Sequence, residues 1–226
     1  MTAAAERVVE PEWLDTLAPQ DPRARRSRRD LSRLNAVMSN AGIVARALQG
    51  ASLSRVAEIG AGDGGFARRL ASRLPPMGAG SFILVDRQEH EAPAAANGWR
   101  FEAATLDVFA WLEDESRVRF DAIVANLFLH HFDDKALARL LELAARRTDR
   151  FIACEPRRSA IALAGSRLVG LVGCNDVTRH DAVVSVRAGF TKREIASLWP
   201  SQGWHVEETG RGLFSHLFVA ARHAHR

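Results

Sequence analysis

The residues best suited to chemistry fall at positions 56–65, reading Val-Ala-Glu-Ile-Gly-Ala-Gly-Asp-Gly-Gly. A short apolar run carries an acid, Glu58, and then turns through Gly60, Gly62, Gly64 and Gly65 with Ala61 between the first two. Phe66, Leu70 and Leu74 follow at a spacing of four, one face of a helix. Strand, glycine turn and helix let a backbone pass close beneath an adenosine-containing cofactor. Glycine offers no side chain to block that approach and takes positive φ at little cost. Asp86 closes the next apolar run, Phe82-Ile83-Leu84-Val85, about twenty residues on, where a ribose-binding acid is expected.

Two cofactor classes fit this spacing. Gly60, Gly62 and Gly65 satisfy the dinucleotide pattern G-x-G-x-x-G. Against a dinucleotide stands Glu58, since a carboxylate two residues before the first glycine suits a cationic ammonium and sulfonium better than two phosphates. The chain also has no tyrosine, which removes the Tyr-Lys pair of short-chain dehydrogenases. The C-terminal residues 204–221 read as two strands around Gly210-Arg211-Gly212, a hairpin foreign to a Rossmann dehydrogenase.

With those residues in place the chain resembles the class I methyltransferases that use S-adenosylmethionine. The resemblance covers roughly residues 50–221: the glycine loop, Asp86, Leu106-Asp107-Val108, Phe120-Asp121-Ala122-Ile123-Val124-Ala125-Asn126 and the closing hairpin. It implies that Gly60, Ala61 and Gly62 lie against the methionine moiety while Glu58 fixes the loop or the cofactor ammonium. Asp86, followed by Arg87, would take the ribose hydroxyls; Asp107 would take the adenine amino group, with Leu106 and Val108 flanking the ring. Asn126 would border the methionine and the methyl. Plainer readings stand beside these: Asp107 as a helix cap, Asp86 as a solvated loop residue, Asn126 as a turn residue.

Methyl transfer is an in-line displacement that often needs a proton removed, so a base is sought near the methyl. His130 and His131 follow Asn126-Leu127-Phe128-Leu129, and small-molecule methyltransferases often carry histidine there; imidazole titrates near neutrality. His180 and Asp181 form a second candidate cluster in a segment expected to be irregular and to build the acceptor pocket. Histidines capping or packed in the core are the alternative. Arg157 and Arg158 read mainly as solvated residues at a helix start. No metal is expected, because Asp121 sits at the wrong end of its strand for a carboxylate site.

These residues need a scaffold. Strands are expected at 55–60, 81–86, 99–103, 120–125 and 150–155, with helices at 65–74, 107–113 and 134–147. That alternation predicts a mostly parallel sheet with helices on both faces, closed by the antiparallel hairpin into seven strands. A helix at 159–172 and a capping box at Thr191–Glu194 follow. Residues 1–50 read as a loose tail to position 11 and a helical lid, with Asp21 as N-cap and Pro22 at the first helical position. Residues 51–226 form the cofactor-binding domain, with 156–190 as an insertion for the acceptor. The arginine-rich stretch 23–33 has three readings: a solvated face, a lid reaching the cofactor carboxylate, or a grip on a phosphate backbone. Leu31, Leu34, Val37 and Met38 form its other, apolar face.

Composition narrows the setting. At 226 residues, 47% hydrophobic and 26% charged, the chain suits one α/β domain with a cap. Only two of its 31 basic residues are lysines, a bias that reads as coding composition more than a nucleic-acid surface. Two cysteines, no signal peptide and no apolar stretch long enough for a bilayer point to a cytoplasmic protein, monomer or homodimer. The expected activity is methyl transfer from S-adenosylmethionine to a small acceptor, a hydroxyl or activated carbon on an aromatic, quinone or polyketide-like metabolite. RNA or protein methylation, a non-catalytic cofactor-binding subunit and, last, a nicotinamide enzyme remain alternatives; nucleic acid is disfavoured by the lack of an RNA-binding module or aromatics interleaved with the arginines.

Overall fold

The computed structural model describes residues 6–18, 20–114, 116 and 118–223. Seven strands form one sheet: β1 (Arg55–Ile59), β2 (Gly80–Asp86), β3 (Trp99–Thr105), β4 (Ala122–Asn126), β5 (Arg150–Pro156), β6 (Trp204–Arg211) and β7 (Ser215–Arg222). Their spatial order is β3-β2-β1-β4-β5-β7-β6, parallel through β5, with β7 antiparallel to both β5 and β6. The order reverses beside β1, so the C-terminal ends of β1 and β4 open a crevice where ligands of such sheets bind.

The helices are α1 (Trp13–Thr16), α2 (Pro22–Met38), α3 (Asn40–Ala47), α4 (Gly65–Ala71), α5 (Val108–Glu113), α6 (Asp134–Arg147), α7 (Ala160–Leu168), α8 (Asp176–Ala188) and α9 (Glu194–Leu198). Alternate residues of each buried strand feed two cores. Val56, Phe82, Leu84 and Val124 pack with α3 and α4; Ala57, Ile59, Ile123 and Phe151 pack with α5, α6 and α9. Burial on both faces explains why the central strands are nearly all apolar. Within them, the buried Glu58, Asn126 and Glu155 are exceptions that need a reason.

The expected cap of α2 forms: Asp21 accepts from the Arg23 amide with Pro22 at the first helical position. Asp133 starts α6 in the same way, accepting from Ala136 at 2.8 Å. At 191–194 only half the capping box closes: Glu194 accepts from the Thr191 amide at 2.9 Å, while no cap bond from a Thr191 side chain forms and α9 starts at Glu194.

Three expectations change. Residues 6–11, taken as loose, are seated: Arg7 donates to the Phe132 carbonyl at 2.7 Å and pairs with Asp134, and the Val8 amide donates to the Arg187 carbonyl. The helix expected over 159–172 leaves α geometry at Leu168 and tightens into a 3-10 turn over Val169–Val172. The stretch expected to be irregular through 187 is α8, started by Asn175, whose side chain accepts from the Thr178 amide. Thr178 and Asp181 lie on its buried face with Val177, Val184 and Ala188, so polar residues interrupt the apolar stripe that would have betrayed a helix. Those buried polar groups are satisfied by neighbouring helices: Thr178 donates to Ser27 of α2 at 2.9 Å, Asp181 accepts from the Trp13 and Leu14 amides of α1, and Asp30 of α2 accepts from the Asn175 amide. Among the described residues no helix is long and apolar enough to cross a membrane.

Candidate functional site

A cavity of about 990 Å³ opens at the C-terminal ends of β1, β2 and β4. The glycine loop forms its floor. Gly60 and Gly62 have φ of +70° and +54°, and the Gly60 and Ala61 amides hang from the Val85 carbonyl. The two glycines serve different ends. A Cβ on Gly60 would stand 2.2 Å from the Phe128 ring, so packing excludes it; a Cβ on Gly62 would meet nothing within 4 Å, because Gly62 faces the cavity.

Glu58 reaches the same floor from inside the sheet. It is 1% exposed, accepts from the Ala67 amide in the first turn of α4, and leaves Oε2 with no partner. Burial pushes its carboxyl well above the ordinary value, with the charges of Asp63 and Asp86 adding to the rise. An unpartnered buried carboxyl oxygen at a cavity is costly unless a donor arrives.

Asp86 ends β2 and fastens the loop: Oδ2 accepts from the Gly62 amide and Oδ1 from Gln88, both at 2.8 Å. Arg87 lies at the rim, 3.4 Å from Asp15. Asp107 is the N-cap of α5, Oδ1 accepting from Phe109 and Ala110, so the plainer reading of that residue is realised; it also lines the cavity with Leu106 and Val108. Asn126 is 7% exposed and its Oδ1 accepts from Asn40 at 2.9 Å, whose own Oδ1 accepts from Ser215. Beyond Asn126, Leu127 takes φ of +53°, turning the chain sharply into the short 3-10 segment that carries the histidines.

His130 and His131 stand on the cavity wall with ring centroids 4.3 Å apart. His130 is buried between two carboxylates, 2.8 Å from Glu155 through Nδ1 and 3.4 Å from Glu12 through Nε2. Burial pulls this imidazole down, but the bonds and charges of Glu12 and Glu155 outweigh it and hold it at about 9. Burial likewise opposes the charge on Glu12, yet His130, His131 and Ser185 bring its carboxyl down to about 2. His131 moves the other way, below its ordinary value, through burial and the adjacent charge of His130. Glu155 is fully buried, and its other oxygen accepts from the Phe128 and Leu129 amides at 3.0 Å.

His180 and Asp181 are not brought to this wall. Asp181 accepts from the Trp13 and Leu14 amides at 2.8 and 3.0 Å, and His180 stacks on Trp13 at 3.9 Å while bonding Asp181. They fasten α1; the cavity takes Ala182, Ser185 and Val186 from α8 instead. Arg157 and Arg158 turn away too, toward Gly212 and Glu194. Asp121 sits at the opposite strand edge, accepting from Ser54 and Arg55.

The upper wall is apolar. Leu31, Leu34, Val37 and Met38 of α2 face the cavity rather than a core, and Val37 remains 80% exposed. Arg28 lies among them, reaching Gln88 at 3.4 Å. Glu12 and Glu155 escaped the sequence reading. Glu155 carried a usable sign, an acid at the C-terminal end of a central strand; Glu12 carried none, lying more than a hundred residues from the histidine it meets.

Comparison with known proteins places this architecture. Residues 56–151 match the family model described as a methyltransferase domain. No curated protein matches the chain in sequence. The plantazolicin methyltransferase BpumL, solved in complex with SAH, superposes with a TM-score of 0.66 at 12% identity, over 90% of this chain and 92% of its own. An O-methyltransferase family protein from Burkholderia thailandensis gives 0.62 at 19% identity, over 90% of this chain and 60% of its own. Magnesium protoporphyrin IX methyltransferase (ChlM) from Synechocystis PCC 6803, with bound SAH, gives 0.52 at 13%, over 93% and 91%. The fold is that of the class I methyltransferases, and in this chain a helical N-terminal region precedes it.

Proposed function

We propose that this protein transfers a methyl group from S-adenosylmethionine to a small acceptor. The observation that carries the reading is the unpartnered Glu58 Oε2 at the floor of a glycine-lined cavity. A cationic amino-acid moiety satisfies that oxygen; a pyrophosphate does not. Open space over Gly62 suits the same ligand.

S-Adenosylmethionine, when bound, supplies a methyl on a sulfonium. The chain's residues bind and orient it. Glu58 and the loop Gly60-Ala61-Gly62 hold the methionine end. Asp86 gives its remaining lone pairs to the ribose hydroxyls, since a carboxylate has about four acceptor sites and two are used by amides. Asp107 has both cap bonds on Oδ1, leaving Oδ2 for the adenine amino group, with Leu106 and Val108 beside the ring. Asn126, its Oδ1 occupied by Asn40, turns its amide N–H groups to the methionine carboxylate.

The acceptor lies between the histidine wall and the apolar face of α2. Leu31, Leu34, Met38, Val169 and Phe214 suit an aromatic, quinone or polyketide-like body, while Glu12, His130 and His131 form the polar end that holds its hydroxyl or activated carbon. Residues 9–15 and α2 act as a lid that excludes water. Calorimetric titration with S-adenosylhomocysteine and with NADH tests the cofactor assignment: tight binding of the first and none of the second is expected, and the reverse overturns it. Turnover of labelled S-adenosylmethionine across an aromatic acceptor panel tests the transfer.

A further inference from the structure

We propose that Glu12, His130 and His131 form a divalent transition-metal site at the acceptor end of the cavity. One ligand-type atom from each lies within 4.8 Å of the other two. Two imidazoles and a carboxylate are the donor set that takes Zn²⁺, Fe²⁺ or Co²⁺ while leaving positions open. Bonds of about 2.1 Å on a tetrahedral ion set neighbouring ligand atoms about 3.4 Å apart. Glu12 Oε1 and His130 Nε2 already stand 3.4 Å apart. His131, less buried and on the cavity wall, offers a ring nitrogen within 4.8 Å of both, and closing to the same distance takes a shift of at most about 1.4 Å.

A support behind the ligands makes the site more than a chance cluster. His130 Nδ1 is held at 2.8 Å by Glu155, itself fully buried and anchored by two backbone amides. That bond aims Nε2 at Glu12 and the cavity. Carboxylate-to-histidine support of this kind fixes the ring of metal-bound histidines. Ser185 Oγ in turn donates to Glu12 Oε1. Asp15 Oδ2 stands 3.7 Å from His131 Nδ1, a further oxygen donor beside the pair.

The carboxylate comes from the N-terminal segment and the histidines from the loop after β4, so the ion also ties the lid to the sheet edge. Its open positions face the space assigned to the acceptor. This deepens the reading of that space, on which it rests, and names the acceptor class: a molecule presenting an oxygen donor, such as a phenol or hydroxy-carbonyl, beside the transferred methyl. The ion lowers the pKa of such a hydroxyl as a Lewis acid.

The test uses the full chain, stripped with chelator and titrated with Co²⁺ followed by visible absorption, then displaced by Zn²⁺. One equivalent is expected, with affinity reduced at least tenfold in both Glu12→Gln and His131→Ala. S-Adenosylhomocysteine affinity, measured in parallel, stays unchanged in the variants and reports that they fold. Glu12→Gln lies outside the sheet and keeps the test intact should His131→Ala fail to fold. No Co²⁺ binding, meaning a carboxylate–imidazole ion pair only, overturns the site; so does binding that both variants retain. One equivalent of Co²⁺ without any S-adenosylhomocysteine binding leaves the metal site standing and removes the methyl-transfer reading instead.

Discussion

Asp86→Ala separates two jobs of one side chain. In the free protein Asp86 spends one lone pair on the Gly62 amide and one on Gln88, each at 2.8 Å. Both amides lie near solvent and rehydrate when the carboxylate is removed, so the net loss is about 0.5–1.5 kcal/mol each, or about 1–3 kcal/mol of stability. Cofactor binding loses more. Two ribose hydroxyls donating to a charged acceptor are worth about 1.5–3 kcal/mol apiece, about 3–6 kcal/mol together. That corresponds to a Kd weakened by about 10² to 10⁴-fold. Thermal melts give the first quantity and calorimetry with S-adenosylhomocysteine the second. A lowered melting temperature with unchanged Kd would mean that Asp86 only fastens the glycine loop, and the ribose assignment would fail.

Glu58 gives a proton-linkage prediction. Its buried carboxyl sits well above the ordinary value, so between the unfolded and folded values the folded state holds a proton there that the unfolded chain has lost, and this group's contribution to stability declines as pH rises through that window. A bound ammonium favours the ionised form, so cofactor binding releases a proton; calorimetry in buffers of different ionisation enthalpy should show release, and uptake would refute it. Gly60→Ala and Gly62→Ala should part company. The first drives a methyl into Phe128 and costs roughly 2 kcal/mol or more in melts, while the second costs about 1 kcal/mol but abolishes cofactor binding. His131→Ala should cut turnover while leaving S-adenosylhomocysteine affinity intact, and equal loss of both would make it a scaffold residue. His180→Ala removes the stack on Trp13 and should cost about 0.5–1.5 kcal/mol with cofactor affinity unchanged; lost affinity would place it in the site after all.

How far the chain could be read without its structure differs by element. The glycine turn, the strand ends at Asp86 and Asn126, and the caps at Asp21 and Asp133 are written in neighbouring residues, because backbone conformation and short-range hydrogen bonding act within a few positions. The mostly parallel sheet closed by an antiparallel hairpin followed from the same alternation of short apolar runs and helices. Helix α8 was lost because its buried face carries Thr178 and Asp181, whose partners belong to α1 and α2 and so left no local signature.

Sequence alone therefore determined the floor of the cavity: Glu58, the glycines and Asp86 lie within a single β-α-β stretch, and chain connectivity brings them together. Tertiary packing decided the other half of the cavity. It turned the Leu31, Leu34, Val37 and Met38 stripe toward open space, withdrew His180 to a stack on Trp13, and set Glu12 against His130 across more than a hundred residues. Apolar periodicity says that a face is buried or covered, not by what. Only the docking of the N-terminal segment onto α8 and the β4 loop settles which distant charges meet.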